Sequence, residues 1–351
     1  MIMKKLDIII PYYNEDIETI EPLLTSINNQ VGCTNSDFQL VLINDCGNST
    51  ITEEDIKKYL WKFDFKVLKT EKNVGPGMAR QYGIDHSKAD YVLMGDCDDI
   101  LQNNMVFNFF ENQLYKDQPD FAHTKWYTYS RIPNIGDIIQ PQNIEFTWFF
   151  GKFYKREFLE KYNIREDERL RVHEEIQIVR LAPFYSQNAK MYDFPTYIWC
   201  VSDGSITRRN NQEYAYTGMA EYIFSNDILL DKIIKLDRNE ALKQAIQCIL
   251  LTWSSFQNID YDNGEAKNWK EQTENMISYF INKWDVQLEL TRNKSPEFQR
   301  LEIELYKGMQ VQLQKLPKED YQQWYKRIKD INVKDCPEFR HPNITFEKKG
   351  H

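Results

Sequence analysis

Four short apolar runs, Leu6–Ile10, Gln39–Ile43, Lys66–Leu68 and Tyr91–Met94, punctuate the first hundred residues and are separated by polar, glycine-containing connections. Runs of this length bounded by turn residues read as strands. Between the first two, Ile17, Ile20, Leu23, Leu24 and Ile27 recur at helical spacing, which predicts an amphipathic helix over Asp16–Asn29. A glycine-rich turn, NVGPG, leads into a second helix before the fourth strand. Strands alternating with helices predict βαβ units and a largely parallel sheet. From Phe121 to about Ser205 the pattern changes to short strands and loops, with a helix expected around Val172–Leu181. Beyond Asn210 the spacing turns helical, with long helices expected over Glu240–Phe256, Ala266–Leu290 and Pro296–Ile331. Asp260–Glu265 and Arg292–Ser295 read as their connecting turns, and the last dozen residues as loosely ordered.

The polar residues fall just after the strands, where open parallel sheets bind ligands. Strand one runs into Pro11-Tyr12-Tyr13-Asn14-Glu15, strand two into Asn44-Asp45, and strand four into Asp96, Asp98 and Asp99. Three carboxylates within four positions repel one another, so the cluster calls for a cation or many backbone donors. Taken alone, the string also fits a solvated acidic turn. The turn at Gly75 and Gly77 matches neither a dinucleotide fingerprint nor a P-loop, and Arg80 follows it in the first turn of a helix, within reach of the strand ends.

Composition narrows the class. The 351 residues and 42% hydrophobic content suffice for two domains. A net charge of −9 argues against a dedicated nucleic-acid binder. The six cysteines form no CxxC pair, which points to a reduced, cytoplasmic setting without a zinc site. The apolar start before Pro11 is too short for a signal peptide, and no membrane span is expected.

The strings IIIPYYNE, LINDCGNS, KNVGPGMARQYGI, YVLMGDCDDIL, LRVHEEIQIVRL and GSITR, in that order, resemble the successive motifs of the family 2 glycosyltransferases over residues 4–209. The resemblance implies the α/β GT-A fold, a Rossmann-like, mixed and mainly parallel sheet, as a catalytic domain over residues 1–215. Residues 216–351 would then be a helical C-terminal domain for oligomerisation or acceptor binding. It implies a UDP-sugar donor whose nucleoside is lined by Pro11, Tyr13 and Glu15, with Asp45 reading the base and Arg80 near the pyrophosphate. It also implies a DxD pair, Asp96 and Asp98, holding Mn2+ or Mg2+ on the diphosphate, with Asp98 the direct ligand and Asp99 ambiguous. Ser205 and Arg208 resemble a loop that closes over the diphosphate, and Trp148–Gly151, led by Trp148, lies where relatives place acceptor-side residues.

Family members invert the anomeric centre with a carboxylate base from an ED pair. Here the matching string is His173-Glu174-Glu175, a departure that lengthens the base by a methylene. Helical phase leaves the choice open, because Val172, Ile176 and Val179 share a face near Glu175 while Ile178 and Leu181 lie near Glu174. The alignment assigns Glu175 as base and Glu174 as its neighbour, also on the acceptor side; His173 is taken as a hydrogen-bonding neighbour. The acceptor is an unspecified hydroxyl on a glycan, polymer or other biopolymer. Two alternatives stand beside this reading: a catalytically inactive nucleotide-sugar-binding regulator, motivated by the Glu-for-Asp change, and a nucleotidyltransferase, which PYYNED disfavours for want of a basic triphosphate loop.

Overall fold

A computed structural model describes residues 4–132, 136–201, 212–257, 259, 267–292, 300, 303–308 and 319–338. The chain divides into two compact units, Met1–Ser202 and Asp203–His351. In the first unit, strands β1 (Leu6–Tyr12), β2 (Phe38–Asn44), β3 (Asp64–Lys69) and β4 (Tyr91–Met94) form the parallel half of the sheet in the order β3-β2-β1-β4. All seven residues of β1 are buried, as expected for a strand covered on both faces. β3, with exposed positions along its length, is the edge.

Helices α1 (Ile17–Asn28), α2 (Glu53–Tyr59) and α3 (Pro76–Asp85) connect these strands. Asp16 starts α1 by accepting the Thr19 amide, and a Thr52–Asp55 capping box starts α2. The core between sheet and helices includes Phe38 stacked on Phe107 at 4.2 Å, with Phe63 edge-on to both. Phe107 belongs to a helical stretch built of α4 (Val106–Phe109), a π turn (Phe110–Leu114) and α5 (Tyr115–Asp117).

Beyond β4 the sheet becomes mixed. The two-residue β5 (Ile100–Leu101), the long β6 (Phe121–Ile132), β7 (Gly136–Gln142), β8 (Lys152–Lys155) and β9 (Ala189–Cys200) complete it. β8 runs antiparallel to β4, β6 antiparallel to β7 and β8, and β9 parallel to β6 but antiparallel to β5. α6 (Arg156–Lys161) follows β8 directly.

Two expected helices differ. In place of one helix over 172–181 there are two short ones, α7 (Ile176–Val179) and α8 (Ala182–Tyr185). His173 sits at φ 55°, which breaks any helix upstream, and Pro183 has no amide to continue α7. His173-Glu174-Glu175 therefore lie in the turn before α7, and the helical-phase argument does not apply to them.

The second unit comprises α9 (Gln212–Ile233), α10 (Arg238–Phe256), α11 (Lys267–Arg292) and a helix at Tyr321–Lys329. α9 was not marked out by the sequence pattern. The expected helix over 296–331 is interrupted at Asp320, which caps the Tyr321–Lys329 helix by accepting the Gln322 amide. Trp253, Trp284 and Trp324 fill this unit's core, and Trp284 Nε1 donates to the buried Asp227 at 2.9 Å. Residues 260–265, 293–295 and the last dozen lie outside the described residues.

Candidate active site

Parallel pairing sets the ends of β1, β2 and β4 on one edge, with Tyr12 opposite Asn44 and Ile9 opposite Met94. The loops after these strands are therefore neighbours. After β1, the Tyr13 amide donates to Glu15 Oε2 at 2.6 Å, closing a tight turn. The β2 loop packs against it: the Asn48 amide donates to Asn14 Oδ1 at 2.8 Å, and Ser49 Oγ to the Glu15 carbonyl at 2.7 Å. Gly47 permits this, because a Cβ there would fall 1.4 Å from the Tyr13 carbonyl oxygen. Tyr13 and Glu15 are half-buried at this edge, whereas Pro11 is buried within β1 opposite Ile43.

Asp45 is buried and already engaged. Oδ1 accepts Thr70 Oγ1 at 3.0 Å and the Val74 amide at 2.8 Å, and Oδ2 accepts the Gly75 amide at 2.8 Å. Those bonds fold the β3–α3 connection back over the sheet edge. A carboxylate has roughly four lone-pair positions, so one remains on Oδ2.

Arg80 joins the two acidic motifs. Its guanidinium is 3% exposed and donates through Nη1 to Glu174 Oε1 at 3.0 Å and through Nη2 to Asp96 Oδ1. The Phe149 ring covers it at 4.1 Å. Burial alone would disfavour the charge, but Asp96 and Glu174 outweigh it and keep the group protonated. Arg80, expected near the pyrophosphate and the aspartate cluster, bridges Asp96 of that cluster to Glu174. Gly77 makes the bridge possible, since a Cβ there would lie 2.3 Å from Glu174 Cγ.

The three aspartates differ in surroundings. Their carboxylate oxygens approach within 4.8 Å of one another, a hard-oxygen set suited to Mg2+ or Mn2+. Asp99 is fully buried, however: Oδ2 accepts the Tyr197 hydroxyl at 2.7 Å and Oδ1 the Cys200 amide at 2.7 Å. The same hydroxyl accepts the Asp96 amide at 2.9 Å. Asp99 thus ties the acidic turn to β9, which leaves Asp98 and the half-buried Asp96 as the pair that fits a divalent ion.

Glu174 and Glu175 are both buried. Burial raises the Glu174 carboxyl against the pull of Arg80. Burial, with Glu174 adjacent, pushes Glu175 up to about 8. A carboxyl raised toward neutrality is suited to proton transfer at physiological pH. Trp148, 40% exposed, stacks toward Phe150, which in turn stacks on Tyr197 and Trp199. Ser205 and Arg208 lie outside the described residues.

Gly47, Gly77, Tyr197 and Phe149 were not singled out for these contacts by sequence. The two glycines sit inside motifs that carry the signal, but Tyr197 and Phe149 lie in a region with no readable spacing. Among the described residues no helix is long and apolar enough to cross a membrane, and all six cysteines are free thiols.

A parallel half, a mixed half and an acidic turn between them make up a GT-A-type fold. Residues 7–167 match the family model described as glycosyl transferase family 2. It is 34% identical over 176 residues to the poly(ribitol-phosphate) beta-N-acetylglucosaminyltransferase TarP of Staphylococcus aureus, covering 46% of this chain and 52% of TarP. The solved structure of S. aureus TarS 1–349 shares the fold, with TM-score 0.58 at 17% identity over 88% of this chain and 90% of that one. TarS 1–349 in complex with UDP-GlcNAc gives TM-score 0.57 at 19% identity, over 80% of each chain. The chain spans less than two thirds of the length of the curated relatives it matches.

Proposed function

We propose that the protein transfers a sugar from a UDP-sugar to an acceptor hydroxyl with inversion at C1, using Glu175 as base. The observation that carries this reading is the buried Arg80 bridge, which ties the DxD turn at the half-buried Asp96 to the acidic pair at Glu174. The family-model match and the UDP-GlcNAc complex of a fold neighbour support the donor class.

The nucleoside would lie along Tyr13 and Glu15, with the open lone pair of Asp45 accepting the imide N–H of uracil. Asp98, flanked by Asp96, would hold Mn2+ or Mg2+, which when bound offsets the negative charge that grows on the departing phosphate. Glu175 takes the acceptor hydroxyl's proton as that oxygen bonds to C1; the C1–O bond to the diphosphate breaks and its electron pair leaves with UDP. Glu174, neutralised by Arg80, keeps the second carboxylate from competing for that proton.

Thermal shift with a panel of nucleotide sugars and Mn2+, followed by turnover assays, tests the reading. Selective stabilisation by a UDP-sugar and loss of turnover in Glu175→Gln are expected. Donor binding with neither transfer nor hydrolysis would instead favour a nucleotide-sugar-binding regulator.

A further inference from the structure

Lys152 is a buried cation that the mechanism above does not use. Its side chain is 1% exposed at the start of β8, and Nζ donates to Glu145 Oε1 at 2.8 Å. Burial pulls its pKa down, opposed by Glu145 and, more weakly, by Glu175. The neighbouring His123, fully buried among Phe121, Phe146 and Tyr154, is held neutral by burial and by that same ammonium. A buried ion pair is weak evidence for stability, because a well-packed apolar side chain of similar volume often does as well. Lys152 therefore calls for another reason.

Glu145 supplies it. Its carboxylate accepts the amides of Thr147 and Trp148, the latter at 3.1 and 3.2 Å, in addition to the Lys152 ammonium. One carboxylate thus caps the first half of the loop 145–150. The other end is fixed by Gly151 at φ 63°, where a Cβ would fall 2.5 Å from Thr124 Oγ1, and by the Gly151 carbonyl accepting the Thr124 amide at 2.9 Å. Between these anchors the loop holds Phe149 over Arg80 and presents Phe146 and Trp148, 42% and 40% exposed. Exposed aromatic faces on a fixed backbone suit the apolar face of a pyranose ring.

We propose that Lys152, acting through Glu145, is a positioning residue that fixes the loop 145–150 as a platform for a sugar-ring acceptor; the acceptor part rests on the glycosyl-transfer reading above. Lys152 touches no reacting atom. It holds the carboxylate that holds the loop.

Hydrogen–deuterium exchange of the full-length protein tests this without any substrate. In Lys152→Met the amides of Thr147 and Trp148 should exchange about tenfold faster while β6 and β8 keep their protection. Lys152→Arg, which retains a cation, should restore slow exchange, whereas a purely space-filling role would make Arg at least as disruptive as Met. In a double-mutant cycle, Lys152→Met should add little to Glu145→Gln, because both act through one carboxylate. Should Lys152→Met fail to fold, Glu145→Gln carries the exchange test alone. Unchanged loop exchange in the folded variants, or additive effects in the cycle, would overturn the proposal. Absence of UDP binding in the wild-type protein would sink the glycosyl-transfer reading and leave the loop result standing.

Discussion

The Tyr197 hydroxyl donates to Asp99 and accepts from the backbone of Asp96, so one phenol joins the third aspartate of the acidic turn to the first. Tyr197→Phe removes both bonds and leaves a buried carboxyl with one donor fewer. A loss of about 1–3 kcal/mol is expected in urea unfolding, together with weaker Mn2+ binding as the turn loosens.

Asp98 and Asp99 should separate cleanly. Asp98→Asn is expected to abolish Mn2+-dependent donor binding, measured by calorimetry, with little change in unfolding midpoint. Asp99→Asn is expected to do the reverse in rank: a lower midpoint first, a smaller loss of Mn2+ affinity second. Equal effects of the two substitutions on Mn2+ affinity would contradict the assignment of Asp99 to β9.

Arg80→Met leaves Glu174 buried without its cation, and removing one partner of such a pair costs about 3–5 kcal/mol. The double variant Arg80→Met/Glu174→Gln should recover part of that loss, because the stranded charge is gone. Chemical denaturation of the four proteins measures the coupling.

Glycine substitutions give a local contrast. Gly77→Ala drives a methyl group into Glu174 and should cut turnover at a stability cost of about 1–3 kcal/mol. Gly308→Ala, in a helical stretch with nothing within 4 Å of the new methyl, should stabilise by roughly 0.5–1 kcal/mol. Melting curves distinguish the two.

The pH dependence follows from Glu175. Its folded-state pKa is raised from the model-compound 4.5 to about 8. Between those values the native state binds the proton that the unfolded chain has lost, so this group's contribution to stability is full below about 4.5 and fades as pH rises through about 8. Activity runs the other way. kcat/KM should climb with pH on a limb centred near 8, and Glu175→Gln should remove that limb with a rate loss on the order of 10²–10⁴.

Much of the parallel half was legible because β1, β2 and β4 are largely buried runs and α1 and α2 carry their own side-chain caps. The Leu6–Ile10 and Gln39–Ile43 runs extend only to Tyr12 and Asn44 in the structure, and Asp16 starts α1 as expected. The acidic turn was legible as a place but not as three roles, since Asp96, Asp98 and Asp99 differ only in burial and partners. The Glu174–Glu175 turn was misread as helix because a hydrophobic period cannot reveal a left-handed residue at His173. The contacts of Tyr197 and Phe149 were invisible for another reason: each is made to a partner far along the chain, and nothing in local spacing announces such a contact.

The Phe149 roof over Arg80 has a consequence for redesign. The loop proposed as an acceptor platform also covers the guanidinium that bridges Asp96 and Glu174. A graft that swaps residues 145–150 therefore also rewrites the dielectric around those two carboxylates, unless it brings its own aromatic ring to position 149.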